Sequence, residues 1–152
     1  LANAPEKILA DVTKNIPLMA GLEVLISELK KQNWRIAVAS GGFTYFADHL
    51  KEVLALDDTF ANVLDIVDGK LTGKVLGKVV DAQVKADSLK LLAEKYQIAT
   101  SQTVAMGDGA NDLIMMAAAS FGVAFHAKPI VLAQADSSIN QQGLDCLLHW
   151  LA

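Results

Sequence analysis

Three short apolar runs set between helical periods constrain this chain more than any other feature. Arg35–Ala39, Thr103–Met106 and Phe121–Phe125 are each four or five residues long. Runs of that length without polar alternation are what strands buried on both faces look like. Ahead of the first run, Leu22, Leu25, Ile26 and Leu29 fall at i, i+3, i+4 and i+7 and predict a helix over 21–32. Lys30 and Lys31 suit its C-terminal end. Thr44 is placed to cap a helix through Leu54. Leu89, Leu92 and Tyr96 mark one side of a helix over Lys85–Tyr96. Leu113, Met116, Ala117 and Ser120 mark another, and Leu144–Leu151 a closing one. This alternation predicts an α/β fold, a parallel sheet with helices on both faces. One hairpin interrupts it, because Asp68-Gly69 stands between Leu64–Val67 and Lys70–Thr72.

Composition removes several classes of function. With 152 residues, 53% of them hydrophobic, the chain can bury a core and is not disordered. A net charge of −4 argues against nonspecific grip on nucleic acid. The single cysteine, Cys146, excludes an internal disulfide framework and a Cys-based zinc cluster, and fits a reducing, cytoplasmic setting. No stretch reaches the roughly 18 uninterrupted apolar residues of a membrane span. Residues 1–14 lack the charged head and apolar block of a signal peptide.

The chemistry concentrates in Gly107-Asp108-Gly109-Ala110-Asn111-Asp112, a loop between a predicted strand and a predicted helix. In open α/β sheets ligands bind at that end of the strands. Two glycines allow a tight loop and a close backbone approach. Asp108 is placed to ligate a hard cation, and Asn111 and Asp112 open a helix whose free N–H groups favour an anion. Together these suit a phosphate ester with Mg²⁺. The plain alternative is a turn that only caps a helix. Ser40-Gly41-Gly42 is a second strand-end loop, offering a hydroxyl and successive N–H groups to phosphate oxygens, or else an ordinary turn. Lys85 opens a helix, where a cation is electrostatically misplaced. A bound phosphate or a carboxylate partner would explain it, although its position alone reads as a solvated lysine.

Other patterns fail on spacing. Gly69–Val75 is one residue short of a phosphate loop, and Val75 stands where a Ser or Thr would meet Mg²⁺. His49, His126 and His149 have no metal-ligand spacing. Trp34 and Trp150 read as packing residues.

The segments Ala37–Phe43, Asp81–Ala86 and Met106–Leu113 resemble the second, third and fourth motifs of the haloacid dehalogenase superfamily. With Pro17–Gly21, Asp68–Gly73 and Phe125–Pro129, the resemblance extends to the phosphoserine phosphatase family within it and covers almost the whole chain. It implies a Rossmann-like core and Mg²⁺-dependent hydrolysis of O-phosphoserine through a phosphoaspartyl intermediate. It implies that Ser40, with the backbone of Gly41 and Gly42, binds the phosphoryl group and that Lys85 neutralises it. Asp108 would ligate Mg²⁺, Asn111 would contact phosphate or substrate, and Asp112 would hold Lys85 or the metal's water shell.

The family's first motif, D-x-D-x-[ST], does not occur in these 152 residues. The resemblance assigns that motif the attacking aspartate and the acid–base aspartate, and places its strand at the centre of the sheet, between the strands ending at Ser40 and Asp108. The expected organisation is therefore a remnant of the cap and its return linker over 1–16 and an incomplete core over 17–152. The chain alone is expected to be inactive, the nucleophile coming from outside it. Expected partners are a small phosphomonoester and either a second copy of the chain or a complementing N-terminal segment, with no nucleic acid and no membrane. Two alternatives stay open: a phosphatase or phosphotransferase for another small phosphomonoester, and a non-catalytic phosphate-binding module.

Overall fold

The computed structural model describes residues 2–151. Its helices are α1 (Lys7–Thr13), α2 (Leu22–Lys31), α3 (Thr44–Leu54), α4 (Ala82–Lys95), α5 (Leu113–Ala118), α6 (Pro129–Leu132) and α7 (Leu148–Leu151). Its strands are β1 (Ala37–Phe43), β2 (Asp58–Val67), β3 (Lys70–Leu76), β4 (Val104–Gly107), β5 (Phe121–Phe125) and β6 (Ser137–Ile139). They fall into two compact units. One holds the chain up to Leu18 with Ile36–Val80; the other holds Met19–Arg35 with the chain from Asp81 on.

In the first unit β1 runs parallel to β2, with α3 as the crossover, and β2 turns back into antiparallel β3. The turn forms because Asp68 and Gly69 both take positive φ, 51° and 70°. That pair of angles matches the right-handed twist of the flanking strands, and Asp-Gly tolerates it. Helix α3 packs on β1 and β2, and α1 packs on α3. Leu9, Ala47, Leu54, Leu56 and Leu71 are buried there.

In the second unit β4, β5 and β6 form a parallel sheet in that order. Val123 and Ala124 of β5 are both 0% exposed. Adjacent strand residues point to opposite faces, so β5 is covered on both sides, as its unbroken apolar run requires. Ala105, Met116, Ala124 and Val131 form one core cluster, against which Leu89 of α4 and Leu113 of α5 pack. Helix α2 lies on the 3-10 turn Leu144–Leu147, where a Cβ on Gly21 would come within 2.8 Å of Asp145 Cγ.

The α/β class is as the sequence predicts, while several details differ. The strands form two three-stranded sheets, one in each unit. Strand β2 starts at Asp58, ahead of the hairpin run, and its polar Asp58, Thr59 and Asn62 hide it from a hydrophobicity reading. Strand β6 has only three residues. Phe43, not Thr44, is the residue before α3, and no side chain caps that helix. Helix α4 begins at Ala82, three residues ahead of Lys85. The closing helix is a 3-10 turn, Leu144–Leu147, followed by the short α7.

Candidate active site

Strand β4 ends at Gly107, and the chain passes through Asp108 and Gly109 into a 3-10 turn, Ala110–Asp112, before α5. Asp112 organises this loop. Its Oδ2 accepts from the backbone N–H groups of Asp108 and Gly109, both at 3.1 Å. Its own N–H donates to Gly109 O at 2.9 Å. Its Oδ1 accepts from Lys85 Nζ at 2.7 Å. Lys85 and Asp112 are each 5% exposed. Burial of a charge is tolerated only when it is paired and hydrogen-bonded, and this carboxylate has three donors.

Each glycine of the loop answers to a neighbour. A Cβ on Gly107 would lie 2.6 Å from Asp112 Cγ, so only glycine lets Asp112 fold over the strand end. A Cβ on Gly109 would lie 2.8 Å from Asn111 Oδ1. Asp108 and Asn111 remain exposed. The amides of Asp108 and Gly109 are taken by Asp112, and α5 opens through a 3-10 turn rather than directly at Asn111.

Lys85 is therefore not the solvated lysine its position alone implied. It sits in the first turn of α4, which Asp81 caps by accepting from Val84 N at 2.9 Å. The cap supplies the negative charge that a helix start favours. Asp112 answers the lysine's misplacement.

Ser40, Gly41 and Gly42 lie in the other unit. They are not a loop beyond β1 but a bulge within it: Ala39 pairs with Phe60 and Phe43 with Asn62, leaving three residues opposite one. Bulges of this kind re-aim side chains and recur beside active sites. Gly42 N–H donates to Ser40 Oγ at 3.0 Å, so this amide is committed within the bulge. Sequence reading missed Asn62. It is 5% exposed, donates to Gly41 O at 2.8 Å and accepts from Val80 N at 2.7 Å. The signal was a lone Asn amid Phe60-Ala61 and Val63-Leu64. It also missed Asp81 as a cap.

Among the described residues no three His, Cys, Asp or Glu side chains converge on a metal position. Asp108 offers one exposed carboxylate of the hard-oxygen kind Mg²⁺ takes. Such an ion is commonly held by one or two carboxylates, waters and substrate phosphate. The donor set thus fits one protein ligand of Mg²⁺. Of the other patterns, Gly73 and Lys74 lie in β3 of the hairpin. His126 faces Gln142 O through Nε2 at 2.8 Å, and Trp150 packs edge-on against Phe121 at 5.9 Å.

A parallel strand ending in a Gly-Asp-Gly loop, fastened by a buried lysine–aspartate pair on an α/β scaffold, matches a haloacid dehalogenase-like hydrolase profile over residues 4–120. The chain belongs to the haloacid dehalogenase-like hydrolase family. Within that family it groups with the phosphoserine phosphatases. The Vibrio cholerae phosphoserine phosphatase is 56% identical over 144 residues, covering 95% of this chain and 44% of the relative. That of Haemophilus influenzae is 55% identical over 152 residues, 100% of this chain and 48% of the relative. A solved structure described as a phospho-aspartyl intermediate analogue of phosphoserine phosphatase matches with a TM-score of 0.94 at 40% identity, over 99% of this chain and 72% of that one. The chain spans about half the length of these two curated relatives.

Proposed function

We propose that this chain supplies the phosphate- and metal-handling part of a phosphoserine phosphatase, with the attacking and acid–base aspartates contributed by residues outside these 152. The observation that carries the reading is the buried Lys85–Asp112 pair tied to the backbone of Asp108 and Gly109. Packing alone does not call for a buried lysine at a strand-end loop. Fixed positive charge beside a carboxylate suits a phosphoryl group, whose oxygens carry the charge during transfer.

In this reading Lys85 neutralises phosphate oxygens, the Ser40 hydroxyl binds the phosphoryl group from the bulge that Gly41 and Gly42 shape, and Asn111 contacts phosphate or substrate. Asp108 holds Mg²⁺, which when bound polarises a phosphoryl oxygen. Asp112 keeps Lys85 and the loop in place. No helix among the described residues is long and apolar enough to cross a membrane. That and the single cysteine, Cys146, support a cytoplasmic setting.

The test is phosphate release from O-phosphoserine and a panel of other small phosphomonoesters. It compares the chain alone with the chain joined to a D-x-D-x-[ST] segment from a relative. The chain alone should release none, and the joined protein should act best on O-phosphoserine and only with Mg²⁺. Asp108→Asn in the joined protein should remove nearly all turnover. Turnover by the chain alone would overturn the external nucleophile, and equal rates across the panel would overturn the substrate. The missing motif also favours a second reading, a phosphate-binding module. Phosphate binding with no turnover in the joined protein would select it.

A further inference from the structure

The Gly41–Gly42 peptide is held at both ends. Its carbonyl, on Gly41, accepts from Asn62 Nδ2 at 2.8 Å, and its N–H, on Gly42, donates to Ser40 Oγ at 3.0 Å. The two groups of a peptide point in opposite directions because the unit is planar and trans. Whatever fixes the carbonyl therefore also fixes where the N–H points. Asn62 is itself held in place: it is 5% exposed and its Oδ1 accepts from Val80 N at 2.7 Å. Gly42 completes the arrangement, since a Cβ there would stand 3.2 Å from Ser40 Oγ.

A serine oxygen that accepts one N–H still has its own proton to give. Among the described residues no acceptor takes the Ser40 proton. We infer that Asn62 is a positioning residue: by clamping the Gly41 carbonyl it aims the Gly42 N–H at Ser40 Oγ, leaving the Ser40 hydroxyl proton free to meet an outside oxyanion. The placement on the phosphate rests on the reading of Ser40 given above; the clamp does not. A strand bulge with two adjacent glycines has several backbone choices open to it. A rigid amide behind it selects one.

The test uses hydrogen exchange of the full 152-residue chain, followed amide by amide, together with titration by inorganic phosphate. Asn62→Asp keeps an acceptor for Val80 but, once ionised, has no proton for the Gly41 carbonyl. Exchange at Gly42, corrected for the intrinsic pH effect, should rise about tenfold where the introduced carboxyl is ionised. It should return toward wild type where that carboxyl is protonated and donates again. Val80 should stay protected throughout. A purely structural Asn62 would loosen Val80 and Gly42 together and show no such pH profile, which would overturn the clamp. Phosphate affinity should fall about tenfold in Asn62→Asp, and Ser40→Ala should cost little more on that background. Additive losses would mean that Asn62 does not act through Ser40. If Asn62→Asp does not fold, Ser40→Ala opens the clamp from its other end: Gly42 exchange should rise, and an unchanged rate there overturns the proposal. Ser40→Ala binding phosphate as well as wild type would overturn the phosphate role of Ser40, with Gly42 exchange still deciding the clamp.

Discussion

Gly107 and Gly109 occupy one loop for different reasons, and substitution separates them. Alanine at Gly107 drives its Cβ into the buried Asp112 side chain, 2.6 Å from Cγ. Asp112 must then leave Lys85, the loop amides or both, at a cost of about 2 kcal/mol. Alanine at Gly109 meets the amide end of exposed Asn111, which can swing away, so the loss should stay below about 1 kcal/mol. Urea unfolding of both variants checks this, and equal losses would contradict the packing of Asp112 over Gly107. Lys85→Met leaves the Asp112 carboxylate buried without its cation, and the unfolding free energy should fall by about 3 kcal/mol. The electrostatic oddity of Lys85 was legible in the sequence, but its partner was not. The two residues lie 27 positions apart, and no periodicity links them. Asn62 left a weak signal, because an isolated polar residue in a strand has the same one-letter signature whether it faces water or clamps a backbone.

At the level of elements, helix α4 is tied to the loop through Lys85, which donates to Asp112, and its start is set by Asp81. Removing that side chain in Asp81→Ala frees the Val84 N–H and should cost about 1 kcal/mol. Thr44→Ala should change stability by less than about 0.5 kcal/mol, since no side-chain cap is made there. Thermal melts of the pair distinguish the two helix starts; a comparable loss at Thr44 would refute the assignment. Elements with a strong local signal were readable: β5 from its apolar run, α2 from its period, the hairpin from Asp68-Gly69. Those specified by tertiary pairing were not. Ser137–Ile139 has too few residues for a pattern, and the β1 bulge depends on how β2 registers against it.

At the scale of the whole molecule, each unit's sheet has a strand at its end with one side unpaired within that sheet: β1 in one, β4 in the other. Such edges are templates for strand addition. Amides along the outer edges of Ala37–Phe43 and Val104–Gly107 should exchange quickly in the chain alone. They should become protected when a segment bearing D-x-D-x-[ST] is added in trans. Hydrogen exchange with and without that segment decides it, and protection elsewhere only would count against strand completion at these edges. The α/β class was readable because it follows from alternation. The division into two units was not, because it depends on which strands find partners.

Asp112 gives one carboxylate two duties, and the two oxygens share one charge. An anion that draws the Lys85 ammonium toward itself weakens the pull on Oδ1 and shifts the carboxylate's charge toward Oδ2. The amides of Asp108 and Gly109, bonded to Oδ2, then feel an altered acceptor without touching the anion. The loop carries its own reporter: the resonances of two backbone N–H groups should shift with what happens at a side chain on α4.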